Sequence, residues 1–241
     1  MTQQAVILLG GKGTRIQSLY SDRPKCLVPV AGKPILLHQL EWLQKNGITR
    51  IHLAAGFMAD VLQDWLKQNV PENLSITVST EPAPLGTGGA IKFVESWIQT
   101  DPFFVLNGDS LTPNLDFKLF ADTHENNPAA VVTLAVTQIE KTGRYGTVEF
   151  NEENRVTAFL EKADRDNGWI NAGVYCINHS LLNLIESGKN VSIETDIFPE
   201  LGLKNKLYTQ PANPPMLDMG TPDGLKAMKD FFAKPAALDS H

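Results

Sequence analysis

Ala5-Val6-Ile7-Leu8-Leu9-Gly10-Gly11-Lys12-Gly13-Thr14-Arg15 is the stretch that decides the fold of this chain. Its five apolar residues show no polar alternation, the pattern of a strand covered on both faces, as in a parallel sheet flanked by helices. The glycines that follow end the strand and let backbone amides come close to a bound group. A helical turn opening after them brings its positive end to the same place, where an anion is stabilised. Two well-known phosphate loops do not fit. A P-loop requires the spacing Gly-x-x-x-x-Gly-Lys-Ser/Thr, and a dinucleotide fingerprint starting at Gly11 meets Ile16 where its last glycine belongs. Taken alone, the loop reads equally well as a turn leaving a strand.

Outward from this stretch, strand and helix signals alternate. Residues 35–46 place Leu36, Leu40 and Leu43 at helical spacing, with Gly47 as the C-cap. Residues 50–55 read as a strand, 59–69 as a helix and 74–79 as a strand. Residues 88–97 read as a helix with Ala90, Phe93, Val94 and Trp97 on one stripe, and Thr87 as its N-cap. Residues 103–106 are again a strand, stopping at Asn107-Gly108-Asp109. Such alternation predicts right-handed crossovers and a parallel, doubly wound sheet, with ligands gathered beyond the carboxyl ends of its strands.

The second half differs. Residues 129–136, 146–150, 155–160 and 169–177 read as strands, with the polar turn at 151–154 making a hairpin, and residues 180–186, 194–203 and 222–232 read as helices. No linker or internal repeat divides the chain. Residues 1–232 are therefore expected to form one α/β domain, a nucleotide half followed by a mixed half, with residues 233–241 a loose tail.

Composition narrows the partners. With 42% hydrophobic and 20% charged residues among 241, the chain is globular rather than disordered. Its net charge of −6, without any Lys/Arg run, argues against nucleic acid and against a membrane surface. Cys26 and Cys176 are far apart and form no metal pattern, so no disulfide framework is expected. The apolar run 5–9 is too short for a signal peptide or a membrane span. A cytoplasmic location is the expectation. Homo-oligomerisation stays open, since nothing in the sequence decides it. The five histidines form no metal or triad pattern and receive no role.

A second block, Arg23-Pro24-Lys25-Cys26-Leu27-Val28-Pro29-Val30-Ala31-Gly32-Lys33-Pro34, settles how the first is read. Together the two resemble the signature of the sugar-1-phosphate nucleotidyltransferases. Weaker similarity continues through residues 82–90, 107–109, 159–162, 171–175 and 218–223. The resemblance implies a Rossmann-like, doubly wound mixed α/β sheet in a single domain, the nucleotide-diphospho-sugar transferase fold. It also implies attack of a sugar 1-phosphate on the α-phosphorus of a nucleoside triphosphate (NTP), with release of pyrophosphate. Both reactants are anions, so charge stabilisation matters more than proton removal.

The site residues follow from the same resemblance. Leu9, Gly10, Gly11, Gly13, Thr14, Arg15 and Lys25 would hold the triphosphate, and Glu81, Gly86, Thr87 and Asn107 the rest of the nucleotide. Arg15, Lys25 and Asp109 would be catalytic. Asp109 and Asp218 would bind Mg2+, a hard cation suited to carboxylates and phosphate oxygens. Tyr145, Gly146, Glu161, Lys162, Asn171 and Gly173 would hold the sugar phosphate. Without the resemblance, Asp218 reads as a turn residue or a helix N-terminal group, and Glu161-Lys162 as a solvated hairpin edge. Cys26 stands where Pro, Ala or Met is usual, which places a thiol sensitive to alkylation near the triphosphate.

Within the family, the strings Glu81-Pro82, Leu85-Gly86-Thr87-Gly88-Gly89-Ala90, Arg144-Tyr145-Gly146-Thr147 and Ile170-Asn171-Ala172-Gly173 are most similar to heptose 1-phosphate guanylyltransferases. GTP and D-glycero-D-manno-heptose 1-phosphate are therefore the expected substrates. Mannose 1-phosphate guanylyltransferases and N-acetylmuramate 1-phosphate uridylyltransferases remain alternatives. From other classes, so do a metal-dependent glycosyltransferase and a non-catalytic nucleotide sensor. No hexapeptide-repeat β-helix of the kind carried by some larger members is expected.

Overall fold

The computed structural model describes residues 4–143, 145–160 and 166–234. The apolar run forms β1 (Gln4–Leu9), and the loop after it enters a single-turn helix, α1 (Thr14–Gln17), through Gly13 at a left-handed φ of 56°. The second signature block makes a 3₁₀ turn over Lys25–Leu27 and a small ribbon of β2 (Pro29–Val30) and β3 (Lys33–Pro34). The predicted alternation follows as α2 (Ile35–Lys45), β4 (Arg50–Ala55), α3 (Ala59–Asn69), β5 (Ser75–Thr80), α4 (Gly86–Phe93) and β6 (Phe103–Asn107). Then come β7 (Ser110–Leu111), α5 (Phe117–Glu125), β8 (Val132–Lys141), β9 (Thr147–Phe150), β10 (Val156–Leu160) and β11 (Asp166–Ile177). The chain closes with α6 (Phe198–Leu203), β12 (Leu207–Pro211), β13 (Leu217–Asp218) and α7 (Pro222–Phe232).

β6, β1, β4 and β5 lie side by side and parallel, as doubly wound topology requires. β11 then adds to β6 antiparallel, with β9 and β10 on one side of it and β8 and β12 on the other. The sheet is mixed, and the fold is the Rossmann-like α/β arrangement that the resemblance implied. Uniform apolarity in β1 has a direct cause. Ala5, Ile7 and Leu9 pack into one core with α2, while Val6 packs into the other with α4 and α6. Among the described residues, no helix is long and apolar enough to cross a membrane.

Several elements depart from expectation. The helix expected over 88–97 starts earlier and stops at Phe93, with a 3₁₀ turn over Glu95–Trp97. Phe93 is 43% exposed, because the face of α4 that packs closest carries Gly88 and Gly89, not the large apolar residues. Thr87 is not the N-cap; it lies inside α4, and its hydroxyl serves residues 193 and 194. Residues 179–184 form a 3₁₀ helix instead of the α-helix expected at 180–186, a tighter coil that turns Leu182 and Ile185 to the same side. The helix expected over 194–203 begins as a π-turn at Ile193–Ile197. Pro199 has no N–H for the carbonyl four residues back, so regular α-helix cannot run through it. α5 and β12 have no counterpart in the expectations. Of the expected tail, Ala233 and Lys234 still bond back to α7, and the remainder lies outside the described residues.

His38, His52 and His124 are buried and structural. His52, on β4, bonds Thr77 and Ser79 of β5 at 2.8 and 2.9 Å and packs on Trp97. Burial pushes its imidazole down to about 4, and burial also lowers His38 and His124. A histidine held neutral in the fold and free to protonate when unfolded leaves stability intact above its unfolded pKa near 6.5, and stability is lost as pH falls below that. For His52 alone the loss between pH 7 and pH 5 is about 2 kcal/mol. Urea midpoints at those two pH values should show it, and His52→Asn should flatten the dependence. A wild-type midpoint that stays put contradicts this account.

Candidate active site

The carboxyl ends of the parallel strands converge on one face. Gly10 follows β1, Gly56 follows β4, Glu81 follows β5, and Asn107 ends β6. Backbones crowd here: a Cβ on Gly56 would lie 2.9 Å from the Gly10 carbonyl, and one on Gly10 would lie 2.6 Å from Glu81 Oε1. These strand ends enclose a cavity of about 390 Å³, walled by Leu9, Gly10, Gly11 and Lys25 on one side and by Glu81, Gly86 and Thr87 on the other. Glu81 Oε2 accepts the Leu85 N–H at 3.2 Å, and burial raises its pKa above the usual carboxylate value.

Lys25 and Asp109 close the floor. Lys25 Nζ donates to Asp109 Oδ2 at 2.5 Å, and Gly13 is spaced for this lysine, since a Cβ there would lie 2.8 Å from Lys25 Cδ. The loop carrying Asp109 is fixed from below by Gln39, fully buried on α2, whose Nε2 donates to the carbonyls of both Asn107 and Ser110 at 2.8 Å. From above, Met219 N–H donates to the Asp109 carbonyl at 3.0 Å, and β13 pairs Asp218 with Ser110. Asp218 thus arrives beside Asp109 from more than a hundred residues away. Its Oδ1 accepts the Gly220 N–H at 2.6 Å, while Thr221 caps α7. The turn role read from sequence is present; the helix N-terminal role belongs to Thr221.

A second cavity, also about 390 Å³, adjoins the first and shares Asn107 and Asp109 with it. Tyr145, Gly146, Asn171, Gly173 and Asp218 line it. β11 bends at this point: Asn171 faces Val136 and Tyr175 faces Leu134, so four residues of β11 span two of β8. Gly173 makes the bend with φ of 73°, and a Cβ there would lie 2.7 Å from Ser110 Oγ and 2.9 Å from Asn107 Nδ2. Only glycine meets both the backbone and the packing demand.

The arrangement is thus a glycine-walled pocket and a polar pocket meeting at an aspartate that already faces a lysine. A model of the family described as nucleotidyl transferase matches residues 4–234. The chain belongs to the nucleotidyl transferase family. It resembles mannose-1-phosphate guanyltransferase 2 of Candida glabrata, at 37% identity over 95% of this chain and 63% of that protein. It also resembles the mannose-1-phosphate guanylyltransferase of Mycobacterium tuberculosis, at 36% identity over 91% of this chain and 61% of that one. The chain therefore spans less than two thirds of the length of these relatives. HddC from Yersinia pseudotuberculosis superposes with a TM-score of 0.85 at 30% identity, covering 96% of this chain and all of that one. Its complex with GMP-PN gives a TM-score of 0.83.

In this member of the family the expected residues do not all meet. Gly13, Thr14 and Arg15 line neither cavity, and Thr14 and Arg15 are exposed on α1. Glu161 and Lys162 lie outside the described residues. Conversely, Ser192, Glu194, Thr195 and Met216 line the second cavity, and Asn190 the first, without having been read from sequence, and Phe159 of the 159–162 block lines the second cavity without having been given a site role. Cys26 does reach the first cavity, but its expected sensitivity to alkylation is corrected. Burial pushes the thiol up to about 12, so the thiolate that reacts is not formed near neutral pH.

Proposed function

We propose that the protein transfers a guanylyl group from GTP to a manno-configured sugar 1-phosphate, giving a GDP-sugar and pyrophosphate, with D-glycero-D-manno-heptose 1-phosphate as the sugar. The observation that carries this is the pair of cavities meeting at Asn107 and Asp109. Transfer between two bound anions needs two adjoining pockets with the reacting phosphorus at their common wall. The HddC complex with GMP-PN and the guanylyltransferase names of the relatives support a guanine nucleotide.

In this reading a phosphate oxygen of the sugar attacks the α-phosphorus. One P–O bond forms as the bond to the departing pyrophosphate breaks in line. Lys25 exchanges Asp109 for a phosphate oxygen and stabilises the charge that develops. Arg15, exposed on α1 just past the glycine loop, would meet phosphates that extend beyond the first cavity. Tyr145, Asn171 and the backbone at Gly146 and Gly173 orient the sugar phosphate.

Asp109 and Asp218 fit Mg2+: both are oxygen donors, both line the second cavity, and a backbone bond joins their loops. Among the described residues no group of three or more His, Cys, Asp or Glu could hold a metal, so the remaining ligands would come from phosphate and water. When bound, Mg2+ would polarise the α-phosphate and orient the leaving group.

A second reading, mannose 1-phosphate as the sugar, is favoured by the names of the relatives at 36–37% identity. The two sugars differ by one hydroxylated carbon, so a pocket that hydrogen-bonds the extra hydroxyl separates them. The test is pyrophosphate release with Mg2+, crossing GTP, UTP, CTP, ATP and dTTP with both sugar phosphates and N-acetylmuramate 1-phosphate. GTP with either manno sugar supports the reading, and the larger kcat/KM names the sugar. Preference for UTP, or release of a nucleoside diphosphate from an NDP-sugar in place of pyrophosphate, overturns it.

A further inference from the structure

Residues 190–194 join the two cavities. On the nucleotide side they are bonded closely to the segment that opens α4. Asn190 Nδ2 donates to the Pro84 carbonyl and Val191 N–H to the Leu85 carbonyl, both at 2.8 Å. The Val191 carbonyl accepts the Gly88 N–H at 2.8 Å, and a Cβ on Gly86 would lie 2.5 Å from that same oxygen. On the sugar side, Ser192, Glu194 and Thr195 form part of the second cavity's wall. The π-turn begins here, a widened coil often found at functional sites, and it carries Glu194 into the space between α4 and β11.

Three hydroxyls converge on the Glu194 carboxylate. Thr87 Oγ1 and Ser192 Oγ donate to Oε2 at 2.7 and 2.9 Å, and the Tyr175 hydroxyl donates to Oε1 at 3.2 Å. Their directions follow from the carboxylate, which accepts and has no proton to give. Thr87 Oγ1 already accepts the Ile193 N–H at 2.9 Å, and the Tyr175 oxygen accepts Asn171 Nδ2 at 2.8 Å, so each turns its own proton to Glu194. Tyr175 is wholly buried; burial and the nearby Glu194 charge hold its phenol well above the usual range, so the proton stays. Asn171 in turn accepts the Gly173 N–H at 3.0 Å, at the bend of β11. A continuous chain of bonds therefore runs from Thr87 in the nucleotide cavity, through Glu194 and Tyr175, to Asn171 in the sugar cavity. Only an acceptor-only group satisfies donors arriving on both of its oxygens; an amide satisfies one side and repels the other.

We propose that Glu194 is a positioning residue that couples the two cavities, so that a nucleotide seated against Thr87 acts through this chain of bonds on Asn171 and raises the affinity for the sugar 1-phosphate. This rests on the reading of the cavities given above. Each substrate meets one end of the same network, so the contacts that one makes alter what the other meets. The coupling is reciprocal: the sugar phosphate tightens the nucleotide by the same factor.

Calorimetry tests it. The dissociation constant of the sugar 1-phosphate found to be the substrate is measured with Mg2+, with and without saturating GTP analogue carrying a methylene bridge between the α- and β-phosphates. In the wild-type protein the analogue should tighten sugar binding about tenfold. In Glu194→Gln the ratio should fall to within about twofold of unity, and Tyr175→Phe, which cuts the chain on the sugar side, should do the same. The double variant should lose no more than either single one, the signature of one shared path. Melting curves establish that each variant is folded, and Tyr175→Phe serves should Glu194→Gln fail to fold. A folded variant that keeps the tenfold ratio overturns the coupling role, as does a wild-type ratio of one; both leave the proposed activity standing. Wild-type protein that binds neither substrate overturns the reading of the cavities and the coupling with it.

Discussion

Asp109→Asn should lower turnover by about 10³-fold or more while the protein stays folded. The residue touches everything the proposed reaction needs. It lies on the wall common to both cavities, it is the counter-ion of Lys25 at 2.5 Å, and with Asp218 it offers the oxygen donors for Mg2+. Asparagine keeps the size, and the backbone carbonyl that receives Met219 N–H is untouched. What disappears is one negative charge, which weakens the hold on a divalent cation and leaves Lys25 without its partner in the unliganded state. The stability cost is small by comparison. The Asp109 side chain is 37% exposed, and an ion pair with that much solvent contributes about 1 kcal/mol or less. Single-turnover rates, with circular dichroism as the control for folding, separate the two effects. Asp218→Asn should follow in the same direction, since it removes the second carboxylate and leaves the β7–β13 pairing in place. Turnover near wild type in a folded Asp109→Asn protein would sink both the metal role and the catalytic role.

The legible parts of this fold are those where one physical demand acts alone. β1 is readable because a strand covered on both faces must be apolar at every position, and Gly10 because the Glu81 carboxylate leaves no room for a side chain there. α7 is readable to its ends because Pro222 starts it and an apolar stripe follows. α4 misleads because Gly88 and Gly89, which carry no hydrophobic signal, share its buried face with Ala90 and Ile91, while the apolar period takes in Phe93, which is exposed. α5 escapes the sequence reading although its signals are present, with Asp116 accepting the Leu119 N–H and Phe117, Phe120, Ala121 and His124 on one side. The site shows the same division. Lys25 within Arg23-Pro24-Lys25-Cys26 and Asp109 after Gly108 stand in compact signatures. Glu194 stands in none. Its role depends on hydroxyls from α4 and β11, about a hundred and about twenty residues away in sequence, so only the folded chain brings its donors together. A helical reading of 194–203 turns it into an ordinary first-turn acid. Pro199 is the available warning that the helix cannot be regular there.

Glu81→Gln should cost about 10²-fold in kcat/KM for GTP and leave UTP and ATP far less affected, so that the preference for guanine collapses. The argument is one of edges. Guanine presents N1–H and an exocyclic amine side by side, two donors that a carboxylate accepts together. Adenine places an acceptor beside its amine, and uracil flanks its single N–H with two carbonyls, so each meets the same carboxylate with repulsion. Glu81 lines the nucleotide cavity, and one of its oxygens already receives the Leu85 N–H, which holds the group in place. Its desolvation raises its pKa, which has two consequences with known sign. A carboxylate whose folded pKa lies above its unfolded one costs stability at neutral pH, and the cost is relieved as pH falls, so the uncharged Glu81→Gln variant should melt no lower than wild type. GTP affinity should fall as pH drops through that raised pKa, because protonation replaces an acceptor by a donor facing the N1–H. The profile of kcat/KM against pH should therefore carry an acid limb for GTP that disappears in Glu81→Gln. A variant that keeps its preference for GTP, with the acid limb unchanged, would move the reading of guanine from Glu81 to the backbone of Pro84–Thr87.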